Sequence, residues 1–398
     1  MKIYYKLYTT LLFTFFVSCI SIAQTTGKDI VIGKSFSINS KILNEERPYQ
    51  IYLPSDYDFK GQPVSVLYLL DGERHFHHTT GIVSFLKKQG RIPNFMVVSI
   101  SNTTDRTRDL TPTINLDMKA LDQMPTAGGA DKMLSFIKKE LIPHIDKTYN
   151  TNSFKILTGH SLGGLFAVHT LINEPDLFDA YISISPSMWW DNQNLVNQVE
   201  LFLAEKPKLE CFFYMTMANE GGNMLGGAMK LAALFEEAEI YDFNWNLKIM
   251  KEETHNSIPH RSIYYGLEAI FKGWYFTDLQ KLHSDRGMEG IKVHYSRASK
   301  KLGIEIMPNE SEINNLGYEL MQNGNIEKAL EVFLENIRLY PNSYNAYDSA
   351  AEAYMKNKQY KLAIKNYKKS LSLNPKNKNG IAMLNKLGVY FDPTSSNN

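Results

Sequence analysis

The chain has 398 residues, with 43 Lys plus Arg against 42 Asp plus Glu. That length exceeds one comfortable hydrophobic core and favours two domains. The balanced charge gives no basic field for a nucleic acid to follow, so no nucleic-acid partner is expected.

Lys2 and Lys6 precede an apolar run at 11–22, and Ser21-Ile22-Ala23 places small residues where a signal peptidase cuts, before Gln24. The run is too short to span a bilayer. Residues 1–23 are therefore expected to be an export signal. The mature chain would be periplasmic or secreted, with no transmembrane segment. An alternative makes Phe16-Val17-Ser18-Cys19 a lipoprotein signal anchored at Cys19. Cys211 is the only other cysteine, so the mature chain is expected to lack an internal disulfide.

Stretches 36–42 and 49–53 read as an antiparallel hairpin. Apolar runs at 64–70, 95–100, 155–158, 180–183, 211–215 and 245–250 read as strands. Between them, residues 131–149 place Met133, Phe136, Ile137, Leu141 and Ile145 on one helical face, and 162–172 form another helix. Strands alternating with helices of this length predict βαβ units in a mostly parallel, doubly wound α/β domain over 24–285. From Glu310 the pattern changes to a repeat of about 34 residues. Leu316-Gly317 matches Ala350-Ala351, Leu320 matches Tyr354, Ala329 matches Ala363, Phe333 matches Tyr367, and Pro341 matches Pro375. These are the small and bulky positions of tetratricopeptide repeats. They predict a small all-α domain at 309–391, with a capping helix at 381–389, behind a helical linker at 286–308. Two repeats bury too little surface to stand alone, so the block is expected to pack on 288–302. It would be separable from the chemistry and would offer a surface to a protein partner.

Gly159-His160-Ser161-Leu162-Gly163 carries the pattern Gly-x-Ser-x-Gly. Chance places that pattern in roughly one chain in ten of this length, so its context decides. A strand at 155–158 precedes it and a helix at 162–172 follows, the setting a nucleophilic serine on a strained turn requires. Ser161 is the expected nucleophile. Its partners should follow in the order acid, then histidine. His255 lies in a loop after a strand and before a helix, whereas His260 falls just inside that helix. His169, His283 and His294 belong to helices or lie beyond the sheet. Glu220 sits in a turn just past the 211–215 strand, and Asp242 and Asp191 are its rivals. Oxyanion donors are expected from the Leu162 amide and from Gly72 or Glu73, in the loop after an early strand. His75, His77 and His78 lack a completing carboxylate spacing, so they read as a polar loop near the cleft and not as a metal site.

Together Tyr68-Leu69-Leu70-Asp71-Gly72, Arg106-Thr107-Arg108-Asp109-Leu110-Thr111-Pro112, the 159–164 elbow, Ser185-Pro186-Ser187-Met188-Trp189-Trp190 and His255-Asn256-Ser257-Ile258-Pro259 resemble the putative-esterase family. That family contains siderophore esterases, S-formylglutathione hydrolase, feruloyl esterases and mycolyl transferases. The resemblance covers about 36–274 and is closest to the siderophore-esterase branch. It implies an α/β-hydrolase fold with Ser161, Glu220 and His255 as a triad. It also implies that Arg106 or Arg108 faces the substrate and that Trp189 and Trp190 line its pocket. A structural ion pair for Arg108-Asp109, and packing beneath a lid for the tryptophans, stay open as alternatives. The repeats are not part of the usual plan of siderophore-releasing enzymes. The expected activity is hydrolysis of a small-molecule carboxylic ester, of siderophore or other natural type, through an acyl-enzyme and without cofactor or metal. An acyltransferase, or a non-catalytic interaction protein using the repeats, are the alternatives.

Overall fold

Val64–Leu70 and Phe95–Ile100 are apolar or small at nearly every position, and as strands β3 and β4 they are buried along their whole length. Burial on both faces is what a central parallel strand covered by helices demands. The structure is a computed structural model that describes residues 27–59, 61–102, 105–112, 124–206, 208–238, 240–272, 279–303 and 305–390. The expected leader, Cys19 included, lies outside the described residues. Residues 27–32 have no regular secondary structure, and the described residues from 33 onward form one unit.

Eight strands build one sheet in the order β1-β2-β4-β3-β5-β6-β7-β8. β1 (Lys34–Ser40) and β2 (Glu45–Tyr52) form the expected hairpin, and β2 runs antiparallel to β4. β4, β3, β5 (Thr151–His160), β6 (Ala180–Ile184), β7 (Lys208–Met217) and β8 (Tyr241–Ile249) are mutually parallel. Helices α1 (Gly72–Lys88), α2 (Arg106–Leu110), α3 (Ala130–Phe136), α4 (Ile142–Thr148), α5 (Leu162–Asn173), α6 (Trp190–Glu205) and α7 (Gly222–Glu237) connect them, and α8 (Ile258–Ile270) follows β8. A π-helical turn, Ile137–Leu141, joins α3 to α4. Successive strand residues enter different cores, as the two-residue period requires. Val66, Tyr68 and Leu70 join one apolar cluster, and Leu67 and Leu69 join the other. The chain leaves β3 for β4 on one side and returns to β5 on the other. Ligands of open α/β sheets bind at the carboxyl ends of strands around such a switch point.

The repeats are α10 (Glu310–Gln322), α11 (Ile326–Leu339), α12 (Tyr344–Lys356) and α13 (Tyr360–Leu373), closed by α14 (Lys378–Lys386). Helix α9 (Leu279–Leu302) runs through the proposed linker and is kinked where Gly287 takes φ 63°. Met288, Ile291 and Tyr295 of α9, and Ile313, Leu316 and Val332 of the first repeat, share the apolar cluster that holds Leu67 and Ile82. The end of that linker is likewise anchored, with Ile306 buried and its amide donating to Ser299 Oγ at 2.8 Å. The first repeat is thus continuous with the α/β core, so the expected separability can apply to the chemistry and not to stability. A chain ending at Lys301 uncovers Met288, Ile291 and Tyr295, a loss on the order of 5 kcal/mol at about 1.5–3 kcal/mol per large side chain. Urea unfolding of that truncation should show a clearly lower midpoint, while the folded fraction keeps full turnover of a small ester. An unchanged midpoint would mean that the shared core contributes little.

Candidate active site

Ser161 stands between β5 and α5 with φ 61° and ψ −115°, a region a side chain other than glycine seldom occupies. The turn is held from both sides: the Ser161 amide donates to Ile184 O at 2.9 Å, and its carbonyl accepts from Leu165 N at 3.0 Å. Glycine at 159 is obligatory, because a Cβ there would sit 2.3 Å from Gly163 O. The strained serine is therefore over-determined by its surroundings. Among the described residues the only hydrogen bond of its hydroxyl runs to Ser187 Oγ, at 3.2 Å.

Glu220 and His255 arrive from neighbouring strand ends, Glu220 three residues past β7 and His255 six past β8. Met250 N donates to Met217 O at 2.8 Å and Asn219 N to Glu253 O at 2.9 Å, tying the two loops together. His255 Nδ1 hydrogen-bonds Glu220 Oε1, with the carboxylate largely buried and the ring one-third exposed. The His255 ring lies against that of His160, the residue before Ser161, with centroids 4.5 Å apart. Burial, aided by His255 and His75, pushes His160 down to about 3, so it stays neutral at ordinary pH. Asp242 sits at the opposite end of β8, roughly 20 Å along the strand at about 3.3 Å per residue, exposed and beside Lys208. Asp191 is buried in a left-handed turn at the start of α6 and accepts from Asn194 Nδ2 at 3.1 Å. His260 lies on α8, and His169 pairs with Asp131 at 2.9 Å.

Two helix starts face the gap between β3 and β5. The first amides of a helix lack intrahelical acceptors. In α1 the earliest amides with a partner are Arg74 N and His75 N, both donating to Asp71 O, which leaves Gly72 and Glu73 N–H at the opening. In α5 the earliest is Leu165 N, which leaves Leu162 N–H next to Ser161. The three amides expected as oxyanion donors are thus among those without a backbone acceptor.

The two arginines are engaged within the protein. Arg106 donates to both oxygens of Asp71, at 2.5 and 2.8 Å, and to His160 O at 3.0 Å. Arg108 is held by Asp109 at 2.7 Å and by Glu45 at 2.7 and 3.2 Å, while Arg47 reaches Asp109 from the other side at 2.6 Å. Arg108 thus makes the ion pair with Asp109 that the alternative reading named. Trp190 is 2 % exposed and packs in the core, whereas Trp189 is 36 % exposed. His75, His77 and His78 lie on α1 and not in a loop. His75 is buried and hydrogen-bonds His78 at 3.0 Å. Among the described residues no three His, Cys, Asp or Glu side chains are grouped to hold a metal. Sequence reasoning did not reach Asn102, and it gave no role to Asp71 and Ser187 within the motifs that hold them. The one local signal was an Asp directly before a Gly at a strand end, since aspartate tolerates the left-handed turn it adopts here at φ 57°.

Residues 40–236 match the model of the putative-esterase family, and 313–343 and 344–377 match tetratricopeptide-repeat models. The chain is 31% identical over 184 residues to the siderophore enterobactin esterase of Emericella nidulans, covering 40% of this chain and 60% of that protein. It is 31% identical over 183 residues to the ferri-bacillibactin esterase BesA of Bacillus subtilis, covering 40% and 61%. The match thus spans about three fifths of the length of these relatives. The crystal structure of an IroE-like serine hydrolase from Shewanella oneidensis aligns with a TM-score of 0.68 at 27% identity, covering 77% of this chain and 99% of that one. The siderophore hydrolase EstB from Aspergillus nidulans shares the fold, with a TM-score of 0.52 at 22% identity over 63% of this chain and 98% of that one. Over residues 40–236, just under half of its length, the chain is similar to the putative-esterase family, and it carries tetratricopeptide repeats behind that stretch.

Proposed function

We propose that the chain is an exported serine carboxylic-ester hydrolase that cleaves siderophore-type esters through an acyl-enzyme on Ser161. The observation that carries this reading is the strained Ser161 turn, with the bonded Glu220–His255 pair delivered beside it by the ends of β7 and β8. Attack begins when the Ser161 hydroxyl turns from Ser187 to His255, which takes its proton. The ester carbonyl oxygen becomes an oxyanion held by the Leu162 amide and by Gly72 or Glu73. His255 then protonates the leaving alcohol and activates water to release the acid. Glu220 holds the ring in the tautomer that keeps Nε2 free to accept, and it stabilises the imidazolium. Each group is part of the chain, so the sequence of steps calls for no cofactor.

The substrate class rests on the two siderophore esterases named above, and export rests on the leader pattern at 1–23. Among the described residues no helix is long and apolar enough to cross a membrane. The repeats would hold a protein partner. A panel of short acyl, feruloyl, acetylated-sugar and catecholate trilactone esters tests the substrate. The trilactone should give the highest kcat/KM, and a preference for any other member would remove the siderophore assignment. Intact mass of the exported form should begin at Gln24, and a lipid-modified Cys19 would replace a free protein with an anchored one.

A further inference from the structure

We propose that Arg106 is a positioning residue for the oxyanion hole that acts through Asp71, neutralising a buried carboxylate beside the hole and tying together the two loops that form it. This rests on the reading of Ser161 as nucleophile. Asp71 immediately precedes Gly72, is 2 % exposed, and takes left-handed φ 57° and ψ 45°. Its carboxylate lies against the elbow: a Cβ added to Gly163 would stand 3.3 Å from Asp71 Oδ2. Asn102 Nδ2 donates to it at 2.6 Å in addition to the two bonds from Arg106. The guanidinium Nη2 that meets Asp71 also donates to the carbonyl of His160, one residue before the nucleophile. One side chain therefore spans from the loop that offers the Gly72 and Glu73 amides to the strand end that offers Leu162. Asn102 adds a second tie, its backbone N–H and side-chain amide reaching the Glu73 carboxylate at 3.0 and 2.7 Å.

An unpaired Asp71 would set a negative charge close to the oxygen that becomes negative during attack. In a partly buried site that repulsion is strong, and it grows as the reaction proceeds. Paired with Arg106, the carboxylate no longer opposes the oxyanion. Burial acts to raise the Asp71 carboxyl, yet the bonds from Arg106 and Asn102, with His75 nearby, hold it below the usual carboxylate range. A lysine carries the same charge but lacks the planar fork that reaches both Asp71 oxygens and the His160 carbonyl at once.

A double-mutant cycle in the full chain, read on the small neutral ester p-nitrophenyl acetate, tests this. Arg106→Gln should lower kcat about 100-fold with KM changed by less than about twofold, the pattern of an interaction felt only in the transition state. Adding Asp71→Asn should recover about tenfold of that loss, because the pair is then neutral on both sides. Arg106→Lys should fall about tenfold in kcat with the same KM. An unchanged kcat, a loss confined to KM, or a double variant no faster than Arg106→Gln would each overturn the proposal. If Arg106→Gln does not fold, Arg106→Lys and the neutral pair, each against the parent chain, separate a kcat effect from a KM effect in the same way. Fluorophosphonate labelling of the parent chain separates the two readings. No label at Ser161 removes the nucleophile assignment, whereas label with a KM-only arginine effect removes only the clamp.

Discussion

Ser161→Ala should lower kcat on p-nitrophenyl acetate by about 10⁵- to 10⁶-fold, the scale seen when a hydrolase loses its nucleophile. The substitution removes one oxygen and leaves the turn that Gly159 and the Ile184 carbonyl enforce, so the melting temperature should stay near that of the parent. Ser187 is the natural control. Its hydroxyl is 3.2 Å from that of Ser161 and 2 % exposed, yet its amide is bound to the Ser161 carbonyl and it occupies no elbow of its own. Ser187→Ala should therefore cost about tenfold or less, through loss of the bond that holds the resting hydroxyl. Turnover by Ser161→Ala above about 1% of the parent would place the nucleophile elsewhere.

Glu220→Gln should lower kcat by about two to four orders of magnitude with little change in KM. The Glu220 carboxylate accepts from His255 Nδ1 and keeps Oε2 near the Ala218 amide at 3.3 Å, so its orientation is set by the end of β7 itself. An amide in its place can turn its N–H₂ toward the ring and favour the tautomer that cannot accept the Ser161 proton. It also removes the negative charge that stabilises the imidazolium. Asp242→Asn, at the far end of β8, should leave kcat within about twofold, because an exposed loose pair with Lys208 contributes little. The reverse ranking of the two variants would contradict the assignment of the acid.

The sequence defined β3 and β4 to the residue, because a strand buried on both faces reads as an unbroken apolar run. β8 was legible only from Trp245, since it is the edge strand and its opening Tyr241-Asp242-Phe243-Asn244 alternates toward solvent. Chain order and strand ends were enough to bring Glu220 and His255 together and to pass over Asp242, because the parallel sheet delivers every carboxyl end to one rim. What stayed hidden depends on side-chain direction across long separations. Nothing local distinguishes buried Trp190 from exposed Trp189. Nothing local says that Arg106 turns inward, 35 residues back, to Asp71. At the junction, Ile291 and Tyr295 look like one amphipathic face, and only the fold supplies the α/β core against which they pack.

The central claim is that Ser161 is the activated nucleophile of this chain. A fluorophosphonate probe reacts with a serine whose proton is taken by a positioned base, so the modified residue identifies both groups at once. Peptide mass spectrometry after labelling should show one adduct, on the peptide containing Ser161, formed slowly in Glu220→Gln and absent in His255→Ala. An adduct on Ser187, or none on a chain that still hydrolyses esters, would contradict the account.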